Sequence, residues 1–302
     1  MKIINFGSLN IDNVYNVREF VRPGQTIHAR DYHVAAGGKG LNQSIAAARA
    51  GAQVLHAGMI GSGGTFLTDI LQEAGVDTSQ VRTLDAPSGH TVIEVNAEGQ
   101  NRIIVYGGTN QMLTDTYIDT VLAQGMPGDV TLLQNETNLI ATIITKSHEK
   151  GMLVAFNPSP MPEDLTAVPL DLVDYFIVNE LEAAQLVGMQ PDAPYEDILD
   201  RLAVEYPHAT VIMTLGHNGV LYSQKETRLS HPIFKVTAVD TTAAGDTFCG
   251  YFLAAVCRNT SVETALREAS AASAITVSRP SAAPSIPLYA EVQQFLRDSH
   301  CS

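Results

Sequence analysis

A carboxylate beside a run of small residues is the first pattern in this 302-residue chain that could perform chemistry. Ala243, Ala244 and Gly245 precede Asp246, and the apolar residues that follow recur at helical spacing. The first N–H groups of a helix lack partners within it and, together with the helix dipole, attract an anion. Asp246 could then take a proton from a hydroxyl group beside that anion. The same pattern also suits a helix N-cap, and the local sequence leaves both interpretations open.

Two further motifs place polar side chains at turns. In residues 37–42 (GGKGLN) the glycines allow the backbone to approach a polyhydroxy ligand, and Lys39 and Asn42 supply hydrogen-bonding groups. This motif is not a phosphate-binding P-loop, because Gly40 stands where a P-loop needs Ser or Thr. Asn179 and Glu182 share one helix face and could orient metal-bound water near phosphates. The alternatives are a helix-initiating turn for the first motif and a solvated first helical turn for the second.

The composition excludes several classes of protein. Hydrophobic residues make up 45% of the chain, enough to bury a large core, which excludes a disordered protein. The net charge of −14 repels nucleic acid and anionic membranes, so we expect neither as a main partner. No apolar stretch approaches the length of a membrane span, and the N-terminal apolar run is too short for a secretory signal. The HExxH, GxSxG and GxGxxG motifs are absent, which disfavours a zinc hydrolase, a serine hydrolase and a dinucleotide-dependent dehydrogenase.

Cysteine usage indicates the compartment. Cys249, Cys257 and Cys301 are an odd number and show no CxxC spacing, so we expect a reducing, cytoplasmic environment rather than a disulfide framework. Cys249 and Cys257 lie eight residues apart on the apolar helix and are predicted to be core residues.

The elements that must position these residues alternate between strand and helix. Apolar runs predict strands at 2–6, 54–60, 130–134, 152–156, 175–178 and 210–215; helical patterns lie at 41–50, 65–74, 116–123, 139–150, 181–187 and 195–205. This alternation predicts an α/β fold in which a mostly parallel sheet is covered on both faces. Ligands of such sheets bind beyond the carboxyl ends of the strands.

Two segments interrupt the alternation. Residues 11–35 and 88–110 show strand-type alternation and turn residues but no helical pattern, which predicts a small accessory sheet that could act as a lid. No linker divides the chain, so we expect a single domain over residues 1–302. A helix is predicted from about Val262 to Val277, and Pro280, Pro284 and Pro287 are predicted to end regular structure.

Six segments, in this order, resemble the ribokinase-like (PfkB) sugar kinase family along nearly the whole chain. They are residues 7–12 (GSLNID), 37–43 (GGKGLNQ), 157–160 (NPSP), 179–182 (NELE), 214–219 (TLGHNG) and 238–248 (AVDTTAAGDTF). The last of these is the most specific. The resemblance implies a three-layer α/β/α domain with a small β lid, and an enzyme that transfers a phosphoryl group from ATP to a sugar.

The resemblance also implies a role for particular residues. Asp246 would be the general base, and the amides of Ala243, Ala244, Gly245 and Asp246 would form an anion hole. The sugar would contact Asn10, Asp12, Gly38, Lys39, Asn42 and Glu136, along with Asp246. ATP would face Asn179, Thr214, Gly216, His217, Asn218, Gly219 and Ser270, with Asn179 and Glu182 near Mg²⁺ through water. A monovalent cation, K⁺ by resemblance, would lie among Asp240, Thr242, Thr276, Arg279, Ser281 and Ser285.

The implied substrate is a pentose, D-ribose in the first place, converted to its 5-phosphate. The alternatives are a kinase for another furanose, ketose or nucleoside, and a sugar-binding sensor that has lost catalysis. Thr91, in the predicted lid, could lie near the sugar's anomeric end and shift the preference among pentoses. The family commonly pairs its lids, so a homodimer is expected.

Overall fold

The computed structural model describes residues 1–299, which form thirteen strands and nine α-helices. The strands are β1 (Lys2–Phe6), β2 (Asn10–Asn16), β3 (Asp31–Gly37), β4 (Gln53–Ser62), β5 (Asp77–Pro87), β6 (Gly89–Val95), β7 (Asn101–Tyr106), β8 (Val130–Gln134), β9 (Leu153–Asn157), β10 (Tyr175–Asn179), β11 (Thr210–Thr214), β12 (Val220–Gln224) and β13 (Thr227–His231). The helices are α1 (Lys39–Arg49), α2 (Thr65–Glu73), α3 (Asp115–Leu122), α4 (Ile140–Glu149), α5 (Glu180–Leu186), α6 (Tyr195–Glu205), α7 (Ala244–Cys257), α8 (Val262–Val277) and α9 (Tyr289–Asp298).

The central sheet has the strand order β13-β12-β11-β10-β9-β8-β1-β4-β5. Its strands run parallel from β5 to β11, and β12 and β13 add an antiparallel edge. Successive residues of a strand point to opposite faces, and both faces are buried: Ile3 packs in one apolar cluster with residues of α1, α7 and α8, whereas Ile4 packs in the other with residues of α3 and α4. The predicted α/β fold, with helices on both faces of a mostly parallel sheet, is confirmed.

A second sheet of four strands, in the order β3-β2-β6-β7, lies outside the central one. β2 is antiparallel to β3 and parallel to β6, and β7 is antiparallel to β6. Several large apolar side chains on this sheet are exposed, among them Ile104 at 70% and Tyr106 at 53%. The strands come from the two segments that interrupt the helical alternation; their role as a lid stays a prediction.

The C-terminal region differs from the prediction. Regular structure does not end at Pro287, because α9 follows it directly. A proline before the N-cap removes no helical hydrogen bond, and Glu291 accepts a hydrogen bond from the N–H of the N-cap residue Leu288 (2.7 Å). Val292 and Leu296 then bury one face of the helix. Strands β5, β12 and β13 were also not predicted.

Cys249 is buried and Cys257 is partly buried, both in α7, whereas Cys301 lies outside the described residues. Among residues 1–299, no helix combines the length and the apolar character needed to cross a membrane.

Candidate active site

Polar residues meet in a cavity of about 250 Å³ at the carboxyl ends of β9, β10 and β11. These three strands end at Asn157, Asn179 and Thr214, and all three residues line the cavity. Lys39 at the start of α1, Glu182 on α5 and Asp246 on α7 also line it. Since the carboxyl ends of parallel strands share one edge of the sheet, residues far apart in sequence come together there.

Asp246 does not cap its helix. The N-cap of α7 is Ala243, in the left-handed conformation (φ 61°), and Asp246 lies in the first turn with 8% of its surface exposed. Its two carboxylate oxygens accept hydrogen bonds from α1: Oδ2 from Nδ2 of Asn42 (3.0 Å) and Oδ1 from Nε2 of Gln43 (2.9 Å). A buried carboxylate that faces a cavity and is held at both oxygens suits a proton acceptor better than a capping group.

The turn before α7 offers backbone N–H groups to an anion. Because the helix begins at Ala244, the amides of Gly245 and Asp246 have no carbonyl partner within the helix. The amide of Ala244 already donates to the carbonyl oxygen of Thr241 at 3.3 Å, a long bond within the turn. The amides of Gly245 and Asp246 are therefore the better-placed part of the predicted anion hole.

Asn110 and Ser8, which the sequence did not single out, help to position the predicted sugar residues Asn10 and Glu136. Asn10, on β2, accepts a hydrogen bond from Nδ2 of Asn110 (2.7 Å). Glu136, just after β8, accepts one from the hydroxyl of Ser8 and one from the backbone N–H of Lys39 (3.0 Å). Each contact joins segments far apart in the chain, so no local pattern could have revealed it.

Asp12 faces the same way as Asn10 on β2, and its carboxylate accepts a hydrogen bond from the hydroxyl of Thr91 (2.7 Å). Thr91 is the cross-strand neighbour of Asp12 on β6, whereas His90 points to the opposite face of the sheet. Thr91 therefore acts on a predicted sugar-binding carboxylate, which gives it a direct route to influence sugar preference.

Gly38 shows why a glycine is needed at the start of α1. It is the N-cap of the helix at φ 99°, a conformation that residues with a Cβ atom rarely adopt. A Cβ atom there would lie 2.8 Å from the carbonyl oxygen of Ser8. Only a glycine at this position therefore allows the turn that places the backbone N–H of Lys39 against Glu136.

The charges at the site are closely coupled. Burial alone would lower the pKa of Lys39, but the nearby carboxylates of Asp246, Glu136 and Glu182 outweigh it and hold that pKa above its usual value. Burial raises the pKa of Glu136, although Ser8 and Lys39 oppose the shift. Burial also raises the pKa of Asp12, to about 6, against the opposing hydrogen bond from Thr91.

Asn179 and Glu182 form a capping box at the start of α5. Oδ1 of Asn179 accepts a hydrogen bond from the N–H of Glu182 (2.8 Å), and Oε2 of Glu182 accepts one from the N–H of Asn179 (3.0 Å). This matches the helical-turn alternative, but both residues also line the cavity.

A metal ion at this point would depend on ligands from outside the protein. Within residues 1–299 no group of three or more His, Cys, Asp and Glu side chains could hold a metal ion. Mg²⁺ commonly binds through one or two carboxylates together with waters and substrate phosphates. The carboxylate of Glu182 fits that mode through water, so the predicted Mg²⁺ position is compatible with the residues present.

A second cavity, of about 470 Å³, adjoins the first and is mostly apolar. Of the predicted nucleotide residues, Thr214, Gly216, His217, Gly219 and Ser270 line it, whereas Asn218 lies in the same turn without lining it. The segment after β13 adds Ile233, Phe234 and Val236, which were not predicted. The two cavities share Thr214, Thr241, Ala244 and Gly245. They therefore meet at the turn that carries Asp246.

The predicted cation residues are only partly brought together. Asp240 accepts hydrogen bonds from the N–H and hydroxyl of Thr242 (2.9 and 2.6 Å) and from the N–H of Ser281 (3.1 Å). These bonds hold the pKa of Asp240 below its usual value, although burial works in the opposite direction. The carboxylate of Asp240 is thus fixed within its loop. Arg279 instead pairs with Glu291, the hydroxyl of Thr276 with that of Thr247, and that of Ser285 with the carbonyl of Ala282.

Ser281 adopts φ 73°, which is unfavourable for a residue with a Cβ atom. We expect Ser281→Gly to raise the free energy of unfolding by about 1 kcal/mol, and thermal unfolding would show a midpoint about 2 °C higher. The control is Ser278→Gly, since Ser278 has φ −83° and should gain nothing. Equal or lower stability of Ser281→Gly would contradict the expected strain.

Comparison with known proteins confirms the resemblance to this kinase family. Residues 1–288 match the model of the pfkB family carbohydrate kinases. The chain is 36% identical to ribokinase of Haemophilus influenzae, with 96% of each chain covered, and 29% identical to deoxyribokinase of Salmonella typhi, with 98% and 99% covered. The structure of Arabidopsis thaliana ribokinase complexed with ribose and ATP superposes with a TM-score of 0.87 at 28% identity, covering 98% of both chains.

Proposed function

Since the chain belongs to the pfkB carbohydrate kinase family, we propose that it is an ATP-dependent kinase that phosphorylates the primary hydroxyl of D-ribose, yielding ribose 5-phosphate. One observation carries the proposal: Asp246 is held by Asn42 and Gln43 at the turn where the polar cavity meets the larger apolar one. A base at that junction lies between an acceptor hydroxyl on one side and a nucleotide on the other.

In the proposed reaction the adenine of ATP occupies the larger cavity and the phosphates extend along the shared residues towards α7. Asp246 takes the proton of the primary hydroxyl while that oxygen attacks the γ-phosphorus, and ADP leaves. The amides of Gly245 and Asp246 stabilise negative charge on the transferred group. Lys39 adds a positive charge from α1. Mg²⁺, bound through water near Glu182, would neutralise phosphate charge, and a monovalent cation beside Asp240 would order the loop.

The choice of sugar is tested with a panel of acceptors. Purified protein with ATP, Mg²⁺ and K⁺ should give the highest kcat/KM with D-ribose, compared with 2-deoxyribose, fructose and a nucleoside. Equal or better turnover of 2-deoxyribose would favour the deoxyribokinase alternative, and turnover of a nucleoside would favour the nucleoside alternative. Sugar binding without any phosphoryl transfer would indicate a sensor.

Ribose affinity should depend on pH through Asp12. The ionised carboxylate accepts hydrogen bonds from sugar hydroxyls, and its pKa of about 6 in the free protein means that it is protonated in mild acid. Below pH 6 the Kd for ribose should rise by up to about tenfold per pH unit, and above pH 7 it should be constant. Calorimetry without nucleotide measures this.

Thr91→Val provides a matched variant for that pH dependence. It removes the hydrogen bond that opposes the raised pKa of Asp12, so the weakening of ribose binding should begin at higher pH. Because Glu136 is also buried and its pKa raised, its protonation acts in the same direction. A Kd that stays constant from pH 5 to 8 would contradict the assignment of Asp12 to the sugar.

The four-stranded sheet is proposed to act as a lid and to join two copies of the chain. Its exposed apolar residues Val34 and Val92 are the cross-strand neighbours of Asn13, and Ile104 is that of Val92, so all three lie on the face opposite Asp12. Burying such a patch against a second copy removes apolar surface from water. Light scattering at micromolar concentration should give the mass of a dimer, and Ile104→Glu should give a monomer. A monomeric wild-type protein would contradict the proposal.

A further inference from the structure

A chain of buried carboxamide side chains leads from Asp246 into the protein. Gln43 donates from Nε2 to Oδ1 of Asp246 (2.9 Å), and its Oε1 accepts from Nε2 of Gln134 (2.7 Å). Gln134 also donates to Oδ1 of Asn5 (3.1 Å), and Asn5 donates from Nδ2 to the carbonyl oxygen of Gly40 (2.9 Å). Asn5, Gln43 and Gln134 are each no more than 1% exposed, so water cannot replace these partners.

The backbone carbonyl of Gly40, at the end of this hydrogen-bonded series farthest from Asp246, fixes the direction of every hydrogen bond in the series. A carboxamide has one accepting end and one donating end, and a backbone carbonyl can only accept. The carbonyl of Gly40 therefore requires the NH₂ of Asn5, which leaves Oδ1 of Asn5 for the NH₂ of Gln134. Gln134 in turn faces Oε1 of Gln43, and the end of Gln43 that remains for Asp246 is its NH₂ group.

A second anchor fixes Gln43 in the same direction. Asn157 donates from Nδ2 to the carbonyl of Ile177 (2.8 Å), so its Oδ1 accepts from Nε2 of Gln43 (3.1 Å). The thiol of Cys249 donates to Oε1 of Gln43 (3.5 Å). If the side-chain amide of Gln43 flipped, its oxygen would face the carboxylate of Asp246 and Oδ1 of Asn157. All the hydrogen bonds of the Gln43 side chain described above would then be lost.

We propose that Gln43, held by Gln134, is a positioning residue that keeps an N–H donor against Asp246 and so holds this carboxylate turned towards the acceptor hydroxyl. The proposal rests on the phosphoryl transfer proposed above. A hydrogen bond donated to a carboxylate favours its charged form. Gln43 and Asn42 occupy two of about four lone-pair sites of the carboxylate, so sites remain for the proton of the substrate hydroxyl.

The other ionisable groups near Asp246 are Lys39 on α1, Glu136 after β8, Glu182 on α5 and Cys249 one turn along α7. Gln43 itself does not titrate. Loss of its N–H donor should therefore appear as a pH-dependent loss of kcat, with the neighbouring charges unchanged. A residue needed only for packing would lower the rate by the same factor at every pH.

The test is the pH dependence of kcat and of the sugar KM for wild type, Gln43→Met and Gln134→Met, with thermal unfolding of each protein. Methionine matches glutamine in length and lacks the donor. We expect Gln43→Met to lower kcat by up to about tenfold on the acidic limb of its pH profile, with the sugar KM within about threefold. The loss should shrink towards pH 9, and the acidic limb of the kcat profile should move up by about one pH unit.

Gln134→Met leaves Gln43 in place and removes one of its two orienting donors, so the same pH-dependent loss should appear at roughly a third of the size or less. It also keeps the test decisive if Gln43→Met does not fold. The control is Gln185→Met, the same exchange at an exposed position of α5, which should behave as wild type.

The assay uses whichever sugar the wild type phosphorylates fastest, so a wrong choice of sugar does not affect it. An unchanged kcat in Gln43→Met, or a loss of equal size at every pH, would overturn the positioning role while leaving the kinase assignment intact. A wild-type protein that phosphorylates no sugar would overturn the proposed function, and the positioning role with it.

Discussion

Asp246→Asn should lower kcat by roughly 10²- to 10⁴-fold, because asparagine has almost the same shape but cannot take the proton of the sugar hydroxyl. The ribose Kd should change only a few-fold, since Asp12, Lys39 and Glu136 are unaltered. Stopped assays with radiolabelled ATP measure the residual rate, and calorimetry measures ribose binding. Thermal unfolding of the variant shows that any loss of activity is not a loss of folded protein.

The matched control is Asp69→Asn, which makes the same exchange at an exposed position of α2 and should leave kcat at the wild-type value. If Asp246→Asn kept more than about a tenth of the wild-type kcat, Asp246 could not be the general base. Phosphoryl transfer would then depend on positioning and charge stabilisation alone.

Gly245→Val should abolish most activity without destabilising the fold. Among the described residues, no heavy atom outside its own turn lies within 4 Å of the position that a Cβ atom would take at Gly245. Gly245 lines both cavities, so a side chain there would occupy the passage between the cavity proposed for the nucleotide and the one proposed for the sugar. We expect kcat/KM for ATP to fall about 100-fold or more, with a smaller loss in Gly245→Ala.

Gly250, on the same helix, provides the opposite case. A Cβ atom there would lie 2.5 Å from Cβ of Ala46 and 2.6 Å from the backbone N of Ala47, so Gly250→Ala should lower the midpoint of thermal unfolding. Gly245→Val should keep a midpoint at least equal to that of the wild type. A Gly245→Val protein that unfolds early, or that keeps wild-type kcat/KM for ATP, would contradict this account of the passage.

The sequence was most informative where a structural rule acts locally. Continuous apolar runs such as residues 130–134 predicted buried parallel strands, and the small residues before Asp246 predicted a helix start beside an anion site. β5 was missed because it is a half-exposed edge strand whose alternation is irregular, and α9 because prolines usually end regular structure, whereas a proline just before an N-cap is compatible with a helix. Both errors concern elements at the periphery of the fold.

The candidate site required contacts that the sequence cannot show. Gln43 and Asp246 are hydrogen-bonded although they are 203 positions apart in the sequence, and Gln134 and Gln43 are hydrogen-bonded although they are 91 positions apart. Gln43 does stand in the motif at 37–43, but nothing local distinguishes its role from that of a buried core residue. For Asn179 and Glu182 both sequence interpretations are compatible with the structure, because the two residues that cap α5 also line the cavity.

The meeting of two cavities at one short turn has a consequence for how this enzyme type can diversify. Apart from Asp246, the groups proposed to hold the acceptor come from residues 10–42 and from Glu136, whereas the lining of the larger cavity comes from residues 214–277. If these assignments hold, mutation in the first half of the gene would change which alcohol is recognised and leave the proposed nucleotide site, encoded in the second half, intact. Recombining the halves of related genes should, by the same reasoning, exchange acceptor preference.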